Sequence, residues 1–379
     1  MRIGIDIRNI GKKRTGDEVV FFNLVKNLAA IDSENKYFLF TDILDKENII
    51  EIKKRLNIEN KQNFEIVSLN TTNKFVWNVW TLPKYLRNNS LDIYQTQYIT
   101  PWFVPKNTKI ITIVHDISFN FYPQFIKFFD LLFLKILIPV SLRRVDKIIA
   151  VSEFTANEII RYYNINPKRI TWIHNAFSED FLREISQEEL LKIQEKYNLP
   201  EKFILYLGTM QPRKNIPHLI SAFARIKDSL TDTKLILCGN KEAHNFDKKI
   251  EKAIAQNGLQ NDVYFPGYVA DEDKRAIFKL SRVFVSPSLY EGFGIPILEA
   301  MALGIPVLAS KIPPHEEIAG ESILFFEINK KDDFENKLKE ICLNNDLREN
   351  LAKRSREQAG KFSWRNSAVK MLSIYGKTK

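Results

Sequence analysis

Two glutamates, Glu291 and Glu299, flank a segment with the features of an anion-binding loop. Glu291 begins the run Glu-Gly-Phe-Gly-Ile-Pro, and Glu299 follows in the next apolar stretch. Proline favours the first turn of a helix, so residues 291–294 should precede a helix that contains Pro296. The amides and dipole at a helix N-terminus attract anions, and glycines let a ligand approach the backbone. Carboxylates beside an anion site suit a ligand that also has hydroxyls, such as a sugar phosphate, although Glu299 could instead only complement the dipole.

A second loop carries adjacent positive charges at the end of a predicted strand. Residues 208–215 read Gly-Thr-Met-Gln-Pro-Arg-Lys-Asn and follow the apolar run 203–207. Asn215 is predicted to be the N-cap of the next helix. Arg213 and Lys214 should then lie beside a helix N-terminus, where phosphate oxygens would collect. Because they share a domain with the Glu291 loop, we interpret them as a diphosphate clamp, and a solvated pair is the alternative.

Two weaker candidates lie in the first half of the chain. His115 leaves the apolar run 109–115 and can donate a hydrogen bond to a hydroxyl or phosphate. A structural histidine satisfied by backbone is the alternative, and it is our interpretation of His174. Gly16 lies in the turn after the first strand, where a backbone amide could touch a phosphate.

Composition excludes several classes of protein. The chain has 379 residues, 45% of them apolar and 27% charged, which indicates a globular protein of about two domains. Its two cysteines, Cys238 and Cys342, exclude a disulfide framework and a Cys-based zinc cluster, which favours the cytoplasm. The net charge of +10 is scattered rather than clustered with aromatics, so we expect no nucleic-acid partner. Residues 1–7 indicate a strand rather than a signal peptide, and the acidic residues 271–273 indicate a helix start rather than a metal site.

Short apolar runs alternate with amphipathic stretches, which predicts an α/β architecture with two doubly wound parallel sheets. Ligands bind beyond the carboxyl ends of such strands, so two facing sheets would form a cleft. The predicted strands lie at 2–7, 36–41, 109–115, 147–152, 170–174, 203–208, 234–239, 263–265, 282–286 and 306–309. The predicted helices include 18–30, 153–163, 187–197, 217–227, 273–280 and 297–303.

The motifs together resemble those of retaining family-4 glycosyltransferases. The hallmark of that family is a glutamate pair within Tyr-Glu-Gly-Phe-Gly-Ile-Pro-x-Leu-Glu-Ala-Met-Ala, here residues 290–302. The Arg-Lys loop, Val-His-Asp at 114–116 and Val-Ser-Glu-Phe-Thr at 151–155 also match, in order along essentially the whole chain. The chain looks most similar to the mannosyltransferase-like subgroup that builds bacterial surface polysaccharides.

This resemblance implies the GT-B fold, in which two Rossmann-like domains face a cleft. Residues 1–183 would bind the acceptor, and residues 184–361 would bind the nucleotide-sugar donor. Residues 362–379 are amphipathic and would form a helix that crosses back to the N-terminal domain.

The resemblance also implies a role for each candidate residue. Glu299 would hold the ribose hydroxyls, Glu291 would contact the donor sugar, and the Arg-Lys pair would neutralise the diphosphate. Two positions depart from the family pattern: Thr209 stands where many members have a further arginine, and Gly16-Asp17-Glu18 stands where they have paired glycines. The expected catalytic residues are His115, Glu291 and Lys214, and the expected donor-binding residues are Gly16, Arg213, Lys214, Gly292, Phe293, Gly294 and Glu299.

We therefore expect a retaining hexosyltransferase, with GDP-mannose as the first candidate for the donor. It would transfer the sugar from a nucleoside diphosphate to a hydroxyl of a glycan or lipid-linked glycan, without a metal or other cofactor. One alternative is a GT-B sugar-nucleotide 2-epimerase, and another is a non-catalytic nucleotide-binding protein. An NAD dehydrogenase is disfavoured because Gly4-x-Asp6 offers no Gly-x-Gly-x-x-Gly turn.

Residues 119–144 leave two alternatives open. They are rich in phenylalanine, leucine and isoleucine and include Lys127, Lys135 and Arg143. Core packing is one interpretation. The other is an exposed aromatic and basic face that contacts an anionic membrane, on the inner surface if the protein is cytoplasmic.

Overall fold

Apolar strands buried on both faces form two parallel sheets, which confirms the predicted fold class. The structure is a computed structural model that describes residues 1–11, 16–230, 232–242 and 245–378. It divides into two compact units. Unit 1 comprises Met1–Ile117, Phe128–Ala176 and Ser363–Lys379, and unit 2 comprises Ser118–Lys127 and Phe177–Phe362.

The sheet of unit 1 contains seven described strands in the order β3-β2-β1-β4-β5-β6-β7. The strand order reverses between β1 and β4, as in a Rossmann fold. The strands are β1 (Arg2–Asp6), β2 (Lys36–Thr41), β3 (Phe64–Ser68), β4 (Ile93–Gln97), β5 (Lys109–Val114), β6 (Lys147–Ala150) and β7 (Ile170–Trp172).

The sheet of unit 2 repeats this topology with six described strands in the order β10-β9-β8-β11-β12-β13. Here the order reverses between β8 and β11, which pair in parallel at Val283 with Ile204 and at Phe284 with Leu205. The strands are β8 (Phe203–Leu207), β9 (Lys234–Cys238), β10 (Val263–Gly267), β11 (Val283–Ser286), β12 (Val307–Ser310) and β13 (Leu324–Phe326).

Helices connect most successive strands in both units, and residues 98–108 join β4 to β5 without a helix. A π-helical turn, Trp77–Thr81, links two of the helices, and short 3-10 turns lie at Pro123–Phe125, Pro167–Arg169, Glu179–Leu182, Pro212–Lys214 and Lys227–Ser229. The helices are α1 (Gly16–Ile31), α2 (Lys46–Arg55), α3 (Lys74–Val76), α4 (Leu82–Asn88), α5 (Ser118–Phe121), α6 (Phe128–Arg144), α7 (Glu153–Tyr163), α8 (Gln187–Lys196), α9 (Ile216–Ile226), α10 (Lys249–Gln256), α11 (Asp271–Leu280), α12 (Ile295–Leu303), α13 (Pro313–Ala319), α14 (Asp333–Leu343), α15 (Asn345–Ala359) and α16 (Trp364–Thr378). Over the described residues, none of these helices combines the length and the apolar character needed to cross a membrane.

The division into units differs in detail from the boundaries that we drew in the sequence. The change from unit 1 to unit 2 falls between Ala176 and Phe177, several residues before position 183, and residues 118–127 group with unit 2. Helix α16 groups with unit 1 and packs against α1. Its Tyr375 hydroxyl donates to Gln95 Oε1 on β4, and its Ser367 Oγ donates to the His174 carbonyl at 2.7 Å. Buried hydrogen bonds therefore fix the last helix to the N-terminal sheet.

Candidate functional site

The loops that carry the charged candidates follow the two central strands of unit 2. Arg213 and Lys214 follow β8, Glu291 follows β11, and these strands are neighbours where the strand order reverses. The Leu289 amide donates to the Arg213 carbonyl at 2.8 Å, which joins the two loops. This edge of an open α/β sheet is where the fold binds ligands.

The side chain of Glu291 is the centre of a buried charged cluster. Arg213 Nη1 donates to Glu291 Oε2 at 3.0 Å, and Lys214 Nζ donates to Glu291 Oε1. Ser288 Oγ also donates to Oε1, at 2.8 Å. The Arg213 guanidinium further donates to the Tyr290 carbonyl at 3.1 Å, which orients it along the loop. The structure thus brings three of the predicted site residues into direct contact.

The electrostatic balance keeps Glu291 ionised. Burial alone would raise the pKa of this carboxyl group, but the positive charges of Lys214 and Arg213 outweigh burial and hold its pKa well below the usual range. The cluster therefore carries one negative and two positive charges at any pH near neutrality.

A buried histidine that the sequence did not single out lies beside this cluster. The Nδ1 of His315, on α13, is 2.9 Å from the Ser310 carbonyl, so that nitrogen carries the proton and donates. Burial lowers the pKa of His315 to about 4, although the Glu291 carboxylate opposes the shift. Ser310 Oγ donates to the Ser288 carbonyl at 2.5 Å and so links β12 to the loop. Ser310 ends β12. Selecting residues at the carboxyl ends of strands, as for the other loops, would therefore have identified Ser310 but not His315.

The glycine-containing loop forms the N-terminus of α12 as predicted. Gly294 precedes the helix with a φ of 117°, a backbone region that favours glycine. A Cβ at this position would lie 3.3 Å from Ile318 Cδ1 and 3.5 Å from His315 Cδ2, so a side chain would also be crowded. Gly292 and Phe293 are buried in the loop, and Glu299 is buried within α12.

The prediction for Asn215 is only partly correct. It occupies the N-cap position of α9, but its backbone is left-handed, with a φ of 56°, and its side chain does not cap the described helix. The side-chain Nδ2 of Asn215 instead lies 3.3 Å from His218 Nδ1. Asn215 therefore forms part of the turn after Lys214 without capping the helix through its side chain.

Aromatic residues from the segment 118–127 pack on the Glu291 loop. The Phe121 ring stacks on Tyr290 with a centroid distance of 5.7 Å, and Tyr122 meets Tyr290 edge-on at 6.1 Å. The Tyr122 hydroxyl also donates to the Leu289 carbonyl at 3.3 Å. Sequence analysis missed this support because the two segments are distant along the chain.

The two candidates of the first half, His115 and Gly16, belong to unit 1. His115 follows β5, and its Nε2 lies 3.2 Å from Gln97 Oε1 and 3.7 Å from Asp17 Oδ1. Gly16 begins α1 and is exposed, directly before Asp17. Within unit 1 the fold therefore brings the end of β5 and the start of α1 together. Residues 12–15, which precede Gly16 in the predicted turn, lie outside the described residues.

Metal ligands show no comparable clustering. Across the ranges that the structure describes, histidine, cysteine, aspartate and glutamate side chains form no group of three that could hold a metal ion. The acidic run 271–273 begins α11, as predicted, and Asp273 accepts hydrogen bonds from Lys196 and Tyr197.

Comparison with known proteins decides the family. Residues 187–358 match the family of glycosyl transferases group 1, and residues 15–181 match glycosyltransferase family 4. The O-antigen chain mannosyltransferase B of Escherichia coli is 32% identical over 269 residues, which is 70% of either chain. The chain belongs to the family-4 glycosyltransferases.

A second relative and a solved structure are also similar to this chain. The serotype-specific mannosyltransferase WbdA of Escherichia coli is 32% identical over 238 residues, which cover 62% of this glycosyltransferase but 29% of WbdA. The crystal structure of a glycosyltransferase from Rickettsia africae ESF-5 has a TM-score of 0.74 at 21% identity, with 100% of this chain and 98% of that chain covered. The glycosyltransferase thus has the GT-B fold, with two Rossmann-like parallel-sheet domains.

Proposed function

We propose that this glycosyltransferase moves a hexose from a nucleoside diphosphate sugar to a hydroxyl of a glycan or lipid-linked glycan, with retention of the anomeric configuration. Mannose from GDP-mannose is the first candidate, because mannosyltransferase B and WbdA are both named for mannose transfer. The first of these is an O-antigen chain enzyme, which supports a polymer at the cell surface as the final product. The free, buried cysteines Cys238 and Cys342 are consistent with a cytoplasmic location.

The contact of Arg213 and Lys214 with Glu291 is the observation that carries this proposal. Both cations are already oriented on Glu291, in the loop that leads into α12, and the N-terminus of that helix would attract a diphosphate. A bound diphosphate would replace Glu291 as the ion-pair partner of Arg213 and Lys214. The carboxylate released in this way could then accept hydrogen bonds from hydroxyls of the donor sugar.

The reaction requires stabilisation of a departing diphosphate. The bond between the anomeric carbon and the diphosphate oxygen breaks while the acceptor oxygen forms a bond on the same face. The acceptor proton passes to the departing phosphate oxygen, so the proposal needs neither a protein base nor a metal. The two cations and the helix N-terminus meet the negative charge that develops on the leaving group, which is the largest kind of catalytic contribution.

The other predicted residues keep their roles as part of the proposal. Glu299, buried in the first turns of α12, would bind the ribose hydroxyls. The amides around Phe293 and Gly294 would contact phosphate. His115 of unit 1 would donate to the transferred sugar, and the amide of Gly16 would approach the phosphate.

Thermal unfolding with nucleotides is the first test. A ligand at 100 times its dissociation constant stabilises a protein by about 2.7 kcal/mol, so the matching nucleotide among GDP, UDP and ADP should raise the unfolding midpoint by a few degrees. Incubation with the matching sugar nucleotide then distinguishes the alternatives. Transfer to an added glycan supports the proposal, conversion of the sugar nucleotide without acceptor indicates the 2-epimerase, and binding without turnover indicates a nucleotide-binding protein.

A further inference from the structure

Helix α6 exposes a continuous apolar stripe to solvent. Phe129 is 81% exposed and Phe128 is 71% exposed. Leu132, Ile136 and Val140 follow at intervals of four residues, and each is about half exposed. These five residues, which we call the α6 face, lie within about 120° of the helix circumference at 100° per residue. The core-packing interpretation is therefore wrong for this face, since α6 buries only Ile138, Ser141 and Leu142 among its described residues.

Positive charges lie on the same side of the helix. Lys135 and Arg143 project within or at the edge of the arc of the α6 face, and both are exposed. Lys127 precedes the helix and Arg144 ends it, and both are exposed too. The one acidic residue of α6, Asp130, lies on the opposite side by the same geometry. The apolar stripe is thus accompanied by cations.

Two neighbouring segments of unit 1 extend this surface. Lys74 Nζ lies 4.9 Å from the centre of the Phe133 ring, which places α3 against α6. The Arg144 guanidinium donates to the Trp102 carbonyl, and the Trp102 amide donates to the Asn78 carbonyl at 2.9 Å. The additional exposed side chains that these segments carry are Phe75, Trp80, Trp102 and Phe103.

A group of neighbouring, exposed, large apolar side chains normally marks an interaction surface. Protein–protein interfaces are depleted in lysine, whereas Lys127 and Lys135 accompany this surface. Tryptophan and phenylalanine flanked by lysine and arginine are instead typical of helices that lie in a membrane interface, where the cations meet anionic headgroups. We propose that unit 1 docks on an anionic lipid bilayer through the α6 face, with α6 parallel to the membrane plane. This docking surface is separate from the donor chemistry and does not depend on which sugar is transferred.

Vesicle flotation of the full chain tests this proposal. We expect binding to vesicles of phosphatidylcholine mixed with phosphatidylglycerol, and at least tenfold weaker binding to phosphatidylcholine alone or at high salt, because screening weakens attraction between charges. Failure of the full chain to float with the anionic vesicles at low salt would overturn the proposal.

Paired variants assign the binding to the α6 face. The double variant Phe128→Ser and Phe129→Ser should lose binding at least tenfold, whereas Ile50→Ser and Val369→Ser, at exposed apolar positions on other helices of unit 1, should retain it. The charge reversal Lys135→Glu and Arg143→Glu should also lose binding, whereas Lys248→Glu and Lys252→Glu should have less than a threefold effect. Equal binding by the face variants and their controls would contradict docking through this face.

Three control measurements address folding and self-association of the chain. Unchanged circular dichroism and an unchanged unfolding midpoint establish that the face variants are folded. Light scattering without lipid tests whether the occupant of the α6 face is a second copy of the chain. A dimer that the α6 face variants dissociate, together with no vesicle binding, would replace the lipid surface by a self-association interface.

Discussion

The two units share one strand order but place their polar and apolar side chains differently. In unit 2 the loops after the central strands β8 and β11 turn three ionised side chains inward, where Arg213, Lys214 and Glu291 neutralise much of one another's charge. In unit 1, helix α6 turns large apolar side chains outward. Ligands bind at the same edge of such sheets in either unit, and the difference in residue types is why we propose a small anion as the partner of unit 2 and a lipid surface as the partner of unit 1.

Neutralising Glu291 should cause the largest change in stability. Glu291→Gln removes the buried carboxylate that pairs two partly buried cations, so we expect a loss of about 3–5 kcal/mol in the free energy of unfolding. Urea unfolding measures this loss. The matched control is Glu327→Gln, which breaks the half-exposed ion pair with Lys311 at 2.9 Å and should cost at most about 1 kcal/mol. Similar losses in the two variants would contradict the buried, paired state of Glu291.

Removing one clamp cation should mainly affect transfer. Lys214→Ala deletes an oriented charge from the leaving-group site, so we expect the barrier to transfer to rise by about 2–4 kcal/mol. This corresponds to a fall in kcat of about 30-fold to 1000-fold. Lys311→Ala is the control, because that lysine pairs on the surface and should leave kcat unchanged. Unchanged transfer in Lys214→Ala would contradict the role of Lys214 in stabilising the leaving diphosphate.

The buried histidine predicts a pH dependence of stability. Burial lowers the pKa of His315 to about 4 in the folded chain, against about 6.5 when unfolded, so only the unfolded chain takes up this proton between those values. Stability should therefore fall as the pH falls from about 6.5 to 4, by about 3 kcal/mol from this residue. Glu291 stays ionised in the folded chain over that range, because Lys214 and Arg213 hold its pKa well below the usual range.

Urea unfolding at several pH values isolates the contribution of His315. The difference in the free energy of unfolding between the wild type and His315→Gln cancels the contributions of the other titrating groups. It should show the decrease between pH 6.5 and pH 4 that we expect from His315. A difference that does not vary between pH 6.5 and pH 4 would show that His315 is accessible to protons in the folded chain.

The smallest effect is expected on the exposed side of α6. Ile136→Ala should change the free energy of unfolding by no more than about 0.5 kcal/mol, because this side chain is half exposed. Leu142→Ala, on the buried side of the same helix, should cost about 2–5 kcal/mol. Chemical unfolding of both variants provides the comparison, and a large cost for Ile136→Ala would show that the α6 face is packed in solution.

Much of the fold could be predicted because its elements have strong local signals. The buried strand β8 is a continuous apolar run and β2 contains one in its centre, and α12 has a proline in its first turn and a left-handed glycine after its end. The strands β3 and β4 were missed because they include polar side chains such as Gln95 and Thr96, and β13 was missed because it has only three residues. The burial of such groups depends on partners far away in the chain, as when Tyr375 donates to Gln95.

The candidate site was predictable to a similar extent. Charged residues at strand ends identified Arg213, Lys214 and Glu291, because the carboxyl edge of a parallel sheet gathers them. Their direct pairing was not predictable, since it depends on the neighbouring positions of β8 and β11. His315 and the stacking of Phe121 on Tyr290 were missed for the same reason. The direction of the α6 face also required the structure, because an apolar helix of this composition can be buried or exposed.

The most direct test compares how the wild type and Lys214→Ala bind a nucleoside diphosphate and the matching monophosphate. Isothermal titration with GDP and GMP, or with the base that thermal unfolding selects, measures the contribution of the second phosphate. The account predicts that the wild type prefers the diphosphate by at least about tenfold, or 1.4 kcal/mol, and that Lys214→Ala loses most of this preference. An equal preference in both proteins would contradict the assignment of Arg213 and Lys214 as the diphosphate clamp.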